Sequence, residues 1–148
     1  MSKKLLSVGV LSLLLLLFSC NKANIYKEKA IKSIEKKDFT QALIEINKAI
    51  ELAPDSLGNY SVRIIIYDLT GKYEEELTDL KRIIEMSRAK DKILHAYHQK
   101  AVVEFSLGLY NDALQDIDYF INNRDTVGSL AEAYINKGIY IVQVRRHE

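Results

Sequence analysis

Asn24-Ile25-Tyr26-Lys27-Glu28-Lys29-Ala30, Asn59-Tyr60-Ser61-Val62-Arg63-Ile64, Ala96-Tyr97-His98-Gln99-Lys100-Ala101 and Ala133-Tyr134-Ile135-Asn136-Lys137-Gly138 can be written one above the other. Tyr26, Tyr60, Tyr97 and Tyr134 then share a column, and so do the bases Lys29, Arg63, Lys100 and Lys137, in steps of 34, 37 and 37 residues. A second register runs through Lys37-Asp38-Phe39-Thr40-Gln41-Ala42, Gly71-Lys72-Tyr73-Glu74-Glu75-Glu76 and Gly108-Leu109-Tyr110-Asn111-Asp112-Ala113. Self-similarity at this period marks an array of supersecondary units, each of which buries its apolar face against the next.

Around these columns apolar residues recur at spacings of three and four, and no strand-like alternation runs for long after Cys20. The pattern predicts an all-α chain with helices near 24–36, 40–53, 58–70, 74–88, 92–107, 110–122 and 129–145. Asp38-Phe39-Thr40-Gln41 has the form of a capping box at the entry to the second helix. Pro54 stands just past the end of that helix, and Gly71 and Gly108 fall in the short turns between paired helices.

These features resemble the tetratricopeptide repeat, a 34-residue helix–turn–helix unit. The resemblance spans about 23–146 and rests on several columns. The tyrosines supply the large aromatic of the first helix, and Ala30, Ala101 and Gly138 the small residue four places later. Gly71/Tyr73 and Gly108/Tyr110 match the turn, Ala42 and Ala113 the small residue of the second helix, and Ala49 and Pro54 later positions of the first repeat. The second repeat departs, with Ile64 and Glu76 where small residues belong, which predicts a splayed or shifted pair. The resemblance implies three helix pairs plus a C-terminal capping helix, wound into a short right-handed superhelix over 24–148. It also implies a concave binding face. Carried over position by position, that groove takes Ile31, Ile65, Val102 and Ile139 in one row and Ile34, Asp68, Phe105 and Val142 in a second. A more polar row holds Lys27, Ser61, His98 and Ile135. Members that bind chaperone C-termini hold the carboxylate with Lys, Asn and Arg. Lys27 matches the first place, but Ile31 and Val62 replace Asn, and His95 and Gln99 replace later bases, which speaks against that role.

The first twenty residues, MSKKLLSVGVLSLLLLLFSC, read differently. Lys3 and Lys4 precede an apolar stretch from Leu5 to Phe18, shorter than the roughly 20 residues of a spanning helix. Leu17-Phe18-Ser19-Cys20 resembles the cleavage motif of bacterial lipoproteins, with Phe18 at its loosest place. The resemblance implies a cleaved signal peptide at 1–19, a lipidated Cys20 and an extended tether at 20–23. An ordinary cleaved signal and a signal anchor are the alternatives. Cys20 is the single cysteine, so no internal disulfide forms. Residues 20–37 carry six Lys against Glu28 and Glu35, and Lys22, Lys29, Lys32 and Lys36 fall on one side of the first helix. Such a face next to an anchor gains about 1 kcal/mol per close Lys at anionic lipid. It reads equally as a solvated face. Asn21 is not the acidic residue that retains some lipoproteins in the inner membrane. The expected location is therefore the bacterial cell envelope, on the periplasmic inner leaflet of the outer membrane.

The chain of 148 residues has 21 Lys plus Arg against 20 Asp plus Glu, too balanced for a nucleic-acid binder that relies on phosphate contacts. No phosphate-cradling glycine loop, nucleophile elbow or zinc-protease motif is present. His95 and His98, three apart, lack a third ligand on their face and read as surface histidines. Glu74-Glu75-Glu76 reads as a helix start. The chain is expected to need no cofactor or metal and to catalyse nothing. It is expected to act as a membrane-anchored adaptor for a protein or peptide partner. Two other readings stay open: a structural lipoprotein that dimerises through its largely apolar last helix, and a carrier of an apolar ligand in the groove.

Overall fold

A computed structural model of the protein describes residues 2–124 and 130–147. The described residues form seven α-helices: α1 (Ser2–Glu35), α2 (Phe39–Leu52), α3 (Leu57–Thr70), α4 (Tyr73–Met86), α5 (Lys90–Ser106), α6 (Tyr110–Asn122) and α7 (Leu130–His147). Six of them start and stop within about two residues of the sequence expectation. The first departs from it. α1 runs unbroken through 20–23, where an extended tether was expected. No Pro or Gly interrupts the chain between Leu13 and Ala23, so a helix once begun continues. Ala23 is 2% exposed, and the Ser19 hydroxyl donates to the Leu52 carbonyl at 2.7 Å.

The three turns inside the pairs are built alike. Lys37, Gly71 and Gly108 each take a left-handed conformation, with φ of 60°, 66° and 76°. At the first turn the Lys37 amide donates to Ile34 O at 2.8 Å and the Asp38 amide to Ser33 O at 2.9 Å. Gly71 to Asp68 O with Lys72 to Tyr67 O, and Gly108 to Phe105 O with Leu109 to Glu104 O, repeat the pattern. These paired bonds are the Schellman closure, which satisfies carbonyls left open at a helix end. The sequence period is therefore a period of backbone geometry. The capping box at α2 is half made: Asp38 Oδ1 accepts from the Gln41 amide at 3.0 Å, while the Gln41 side chain turns to Glu45 Oε1 at 3.1 Å.

The chain divides into two compact units, Met1–Ile66 and Tyr67–Glu148, with the boundary inside α3. In the first, Ala30 of α1 meets Ala42, Ile46 and Ala49 of α2 and Val62 and Ile66 of α3, flanked by Tyr26, Ile31, Ile34, Phe39, Leu43 and Ile50. Ala30, Ala42 and Ala49 are fully covered, as expected of small residues that let helix backbones approach. Asn59 is buried and its amide donates to Ala49 O at 3.1 Å and Ala53 O at 3.3 Å, closing carbonyls at the end of α2. In the second unit Leu94 and Ala101 of α5, Ala113, Ile117 and Phe120 of α6, and Ala133 and Tyr140 of α7 form the core. Phe105, Leu114 and Ile121 pack on it.

Candidate functional site

The rows expected to line a groove divide by burial within each unit. In the first unit Ile31 and Ile34 are half-buried against the core, while Ile65, one repeat on, is 49% exposed. Lys27 reaches Asn24 Oδ1 at 3.3 Å, and Ser61 donates to its own helix at Leu57 O. In the second unit Val102, Ile139 and Val142 are 42%, 45% and 49% exposed, Ile135 is 63% exposed, and Asp68 is exposed. Phe105 and His98 turn inward instead. Phe105 stacks on Tyr140 with ring centroids 4.7 Å apart and also meets Tyr110. His98 lies 4.8 Å from Phe120, and burial holds its pKa below the usual imidazole value despite the Glu132 carboxylate. Among the described residues, no group of three or more His, Cys, Asp or Glu could hold a metal ion.

Lys22, Lys29 and Lys32 on α1 and Lys36 just past its end are all exposed, and Lys29 lies over the Tyr26 ring at 5.4 Å. Ile25, 51% exposed, falls in the same strip three residues from Lys22 and four from Lys29. Cys20 is exposed. Among the described residues no helix is long and apolar enough to cross a membrane.

The shared column of bases meets the second helices. Arg63 Nη1 donates to Asn47 Oδ1 at 2.8 Å, and Lys137 Nζ lies 2.6 Å from Asp118 Oδ1. Stepping by the repeat from Asn47 to Asp118 passes through Lys81, which cannot accept. Lys100 accordingly turns to carboxylates: Nζ contacts Glu104 Oε1 at 2.5 Å and also Asp116 Oδ2. A polar pocket of about 420 Å³ opens beside this triad, lined by Lys81, Glu85, Tyr97, Lys100, Glu104 and Asp116 among others. Burial works against the Lys100 ammonium, but the hydrogen bonds it donates to Asp116 and Glu104 outweigh it and hold its pKa above the ordinary value. Burial pushes the Glu104 carboxyl up, against its bond to Lys100, and Asp116 adds to the push. Glu104 Oε2 has no partner. The Tyr140 phenol is pushed up to about 12 by burial and by Glu104. Sequence reasoning missed this network; the signal was a base at 81 where the repeat places an acceptor.

No family model matches the chain. Human serine/threonine-protein phosphatase 5 is 30% identical over 97 residues, which is 66% of this chain and 19% of the phosphatase. The small glutamine-rich tetratricopeptide repeat-containing protein 2 of Mycosarcoma maydis is 30% identical over 94 residues, 64% of this chain and 26% of that protein. The chain thus spans about a fifth to a quarter of the length of the curated relatives it matches. Among solved structures, the N-terminal domain of stress-induced protein-1 from C. elegans has a TM-score of 0.72 at 18% identity, covering 80% of this chain and 97% of that one. The first TPR of Spaghetti (RPAP3), bound to an HSP90 peptide, has a TM-score of 0.70 at 18% identity, covering 85% and 95%. The chain has the tetratricopeptide-repeat fold.

Within that fold the departures of the second repeat acquire a structural meaning. Ile64 is 4% exposed and Glu76 3% exposed, so the positions that are Ala elsewhere are still interior. Burial first, and then the Asp68 carboxylate, push the Glu76 pKa up to about 7, and its Oε2 has no partner. The match to the phosphatase covers too little of that enzyme to carry its activity across.

Proposed function

We propose that this protein is a non-catalytic tetratricopeptide-repeat adaptor, held by a lipid on Cys20 at a bacterial envelope membrane, that binds a protein or peptide partner on the exposed faces of its first helices. One observation carries the binding reading. Ile65, Val102 and Ile139 stand at the same repeat position, and each is 42–49% exposed. Folding gives no reason to leave large apolar side chains in water at three successive copies of one repeat position; recognition of an apolar or helical peptide does. The solved relatives support a peptide partner, since one is bound to an HSP90 peptide and another, the TPR2B domain of yeast Sti1, is in complex with Hsp70. Ile31, Val62, His95 and Gln99 replace the carboxylate-clamping groups, so the partner is not read by a chaperone-type C-terminus.

The anchor rests on the sequence: a basic start, a short apolar stretch and a single cysteine at its end. The exposed Lys22, Lys29, Lys32 and Lys36 strip, with Ile25 inside it, suits an anionic leaflet. The expected leaflet is the inner leaflet of the outer membrane.

A cross-linked pull-down from native membranes tests the binding reading. It compares the intact protein with an Ile65→Asp/Val102→Asp variant of unchanged helicity. A partner captured by the first and lost by the second supports the reading and identifies the process. Equal capture by both moves the binding surface elsewhere.

A further inference from the structure

α7 carries the signature of a first helix, with Tyr134, Lys137 and Gly138 in the shared columns. One side of it is accounted for. Ala133 and Tyr140 are 1% and 3% exposed in the core, and Lys137 pairs with Asp118. The other side is not. Tyr134, Ile135, Ile139 and Val142 are 45–63% exposed along one strip. At its centre Gly138 is exposed, and a Cβ built there would meet nothing within 4 Å. Its counterparts Ala30, Ile64 and Ala101 are all covered.

The order of residues along this strip says what fits it. Outward from Gly138-Ile139 the strip reads Ile135 on one side and Val142 on the other, then Glu132 on one side and Arg145-Arg146 on the other. Glu132, Arg145 and Arg146 are exposed. The strip is therefore its own complement when reversed. We infer that α7 is a self-association surface that pairs antiparallel with α7 of a second copy of this chain about a two-fold axis at Gly138-Ile139. The two Ile139 side chains meet at the axis, where the absence of a Cβ on Gly138 lets the backbones approach. Ile135 of each copy packs by Val142 of the other. Glu132 meets the Arg145-Arg146 end of the other copy, joining opposite charges and opposing helix dipoles. A parallel pair would set Glu132 beside Glu132 and arginine beside arginine, so the charges select the antiparallel arrangement. The inference does not rest on the peptide-binding reading. Pairing takes Ile139 and Val142 into the seam, so the peptide-binding reading then stands on Ile65 and Val102.

The test uses the full chain in mild detergent, with mass followed by light scattering across a concentration series. The wild type should pass from one chain to two. Ile139→Asp should abolish the dimer with helicity unchanged, while Ile65→Asp should leave it intact. Glu132→Arg should weaken it roughly tenfold, and adding Arg145→Glu and Arg146→Glu to that variant should restore it. A mass of one chain at every concentration overturns the inference, as does a dimer that survives Ile139→Asp. If Ile139→Asp fails to fold, the charge series decides, and reversal without rescue overturns the antiparallel pairing.

Discussion

Glu76 is the residue most at odds with its surroundings. It occupies the place of Ala42 and Ala113, is buried, and has a pKa of about 7 because burial and the Asp68 charge oppose ionisation. The sign of its effect follows. The folded state holds this proton more tightly than the unfolded chain, so stability falls as pH rises from about 4.5 to about 7 and the full penalty stands above that. Glu76→Gln keeps the shape without the charge. Chemical denaturation should show the variant more stable than wild type at pH 8, by on the order of 2–3 kcal/mol, with the two converging by pH 4.5. Lys100 presents the opposite case. Lys100→Met would leave Glu104 and Asp116 facing each other without their shared ammonium. Loss of one partner from a buried ionic group costs on the order of 3 kcal/mol. Denaturant midpoints should show that loss at pH 8 and relief at pH 5, where the Glu104 carboxyl, pushed up to about 7 by burial, can protonate.

The elements are set mainly by their ends. Three Schellman turns place a left-handed residue at 37, 71 and 108, and two of the three are glycine. Lys37 takes φ of 60° with a Cβ, a conformation that costs an L-residue roughly 1–2 kcal/mol. Lys37→Gly should therefore raise stability by about 0.5–1 kcal/mol, whereas Gly71→Ala and Gly108→Ala should lower it by at least as much. Urea unfolding of the three variants checks the prediction, and a stabilising Gly71→Ala would sink it. The helices themselves were legible as elements because three-and-four spacing survives across all of them. The length of α1 was not. No Pro or Gly separates the apolar stretch ending at Phe18 from the first repeat helix, so the backbone carries no break between them.

For the whole molecule, the proposed attachment and the proposed recognition are tested by separate variants. If Cys20 carries the lipid, Cys20→Ser should move the protein from the membrane pellet to the soluble fraction on cell fractionation. The matched rows on α3 and α5 would be unchanged. Retention of the Cys20→Ser protein in a carbonate-washed pellet would instead favour an uncleaved signal anchor. Replacing Lys22, Lys29, Lys32 and Lys36 by Gln should weaken binding of the protein to anionic vesicles and leave neutral ones unaffected.

Much of the fold follows from the sequence alone, because a tetratricopeptide unit is local. Tyr26, Tyr60, Tyr97 and Tyr134, the alanines across from them and the turn residues between lie within one period, and contacts that close within a few tens of residues leave their pattern in the chain. The candidate rows were legible for the same reason. Their exposure was not. Ile65 and Val102 stand in water while Phe105 and His98, from equivalent rows, fold onto Tyr140 and Phe120. The pairing of Lys100 with Glu104 and Asp116, the burial of Glu76 and the uncovered side of α7 likewise needed the tertiary structure. Which atoms a side chain leaves to water depends on neighbours from other helices, and no period along one chain specifies those neighbours.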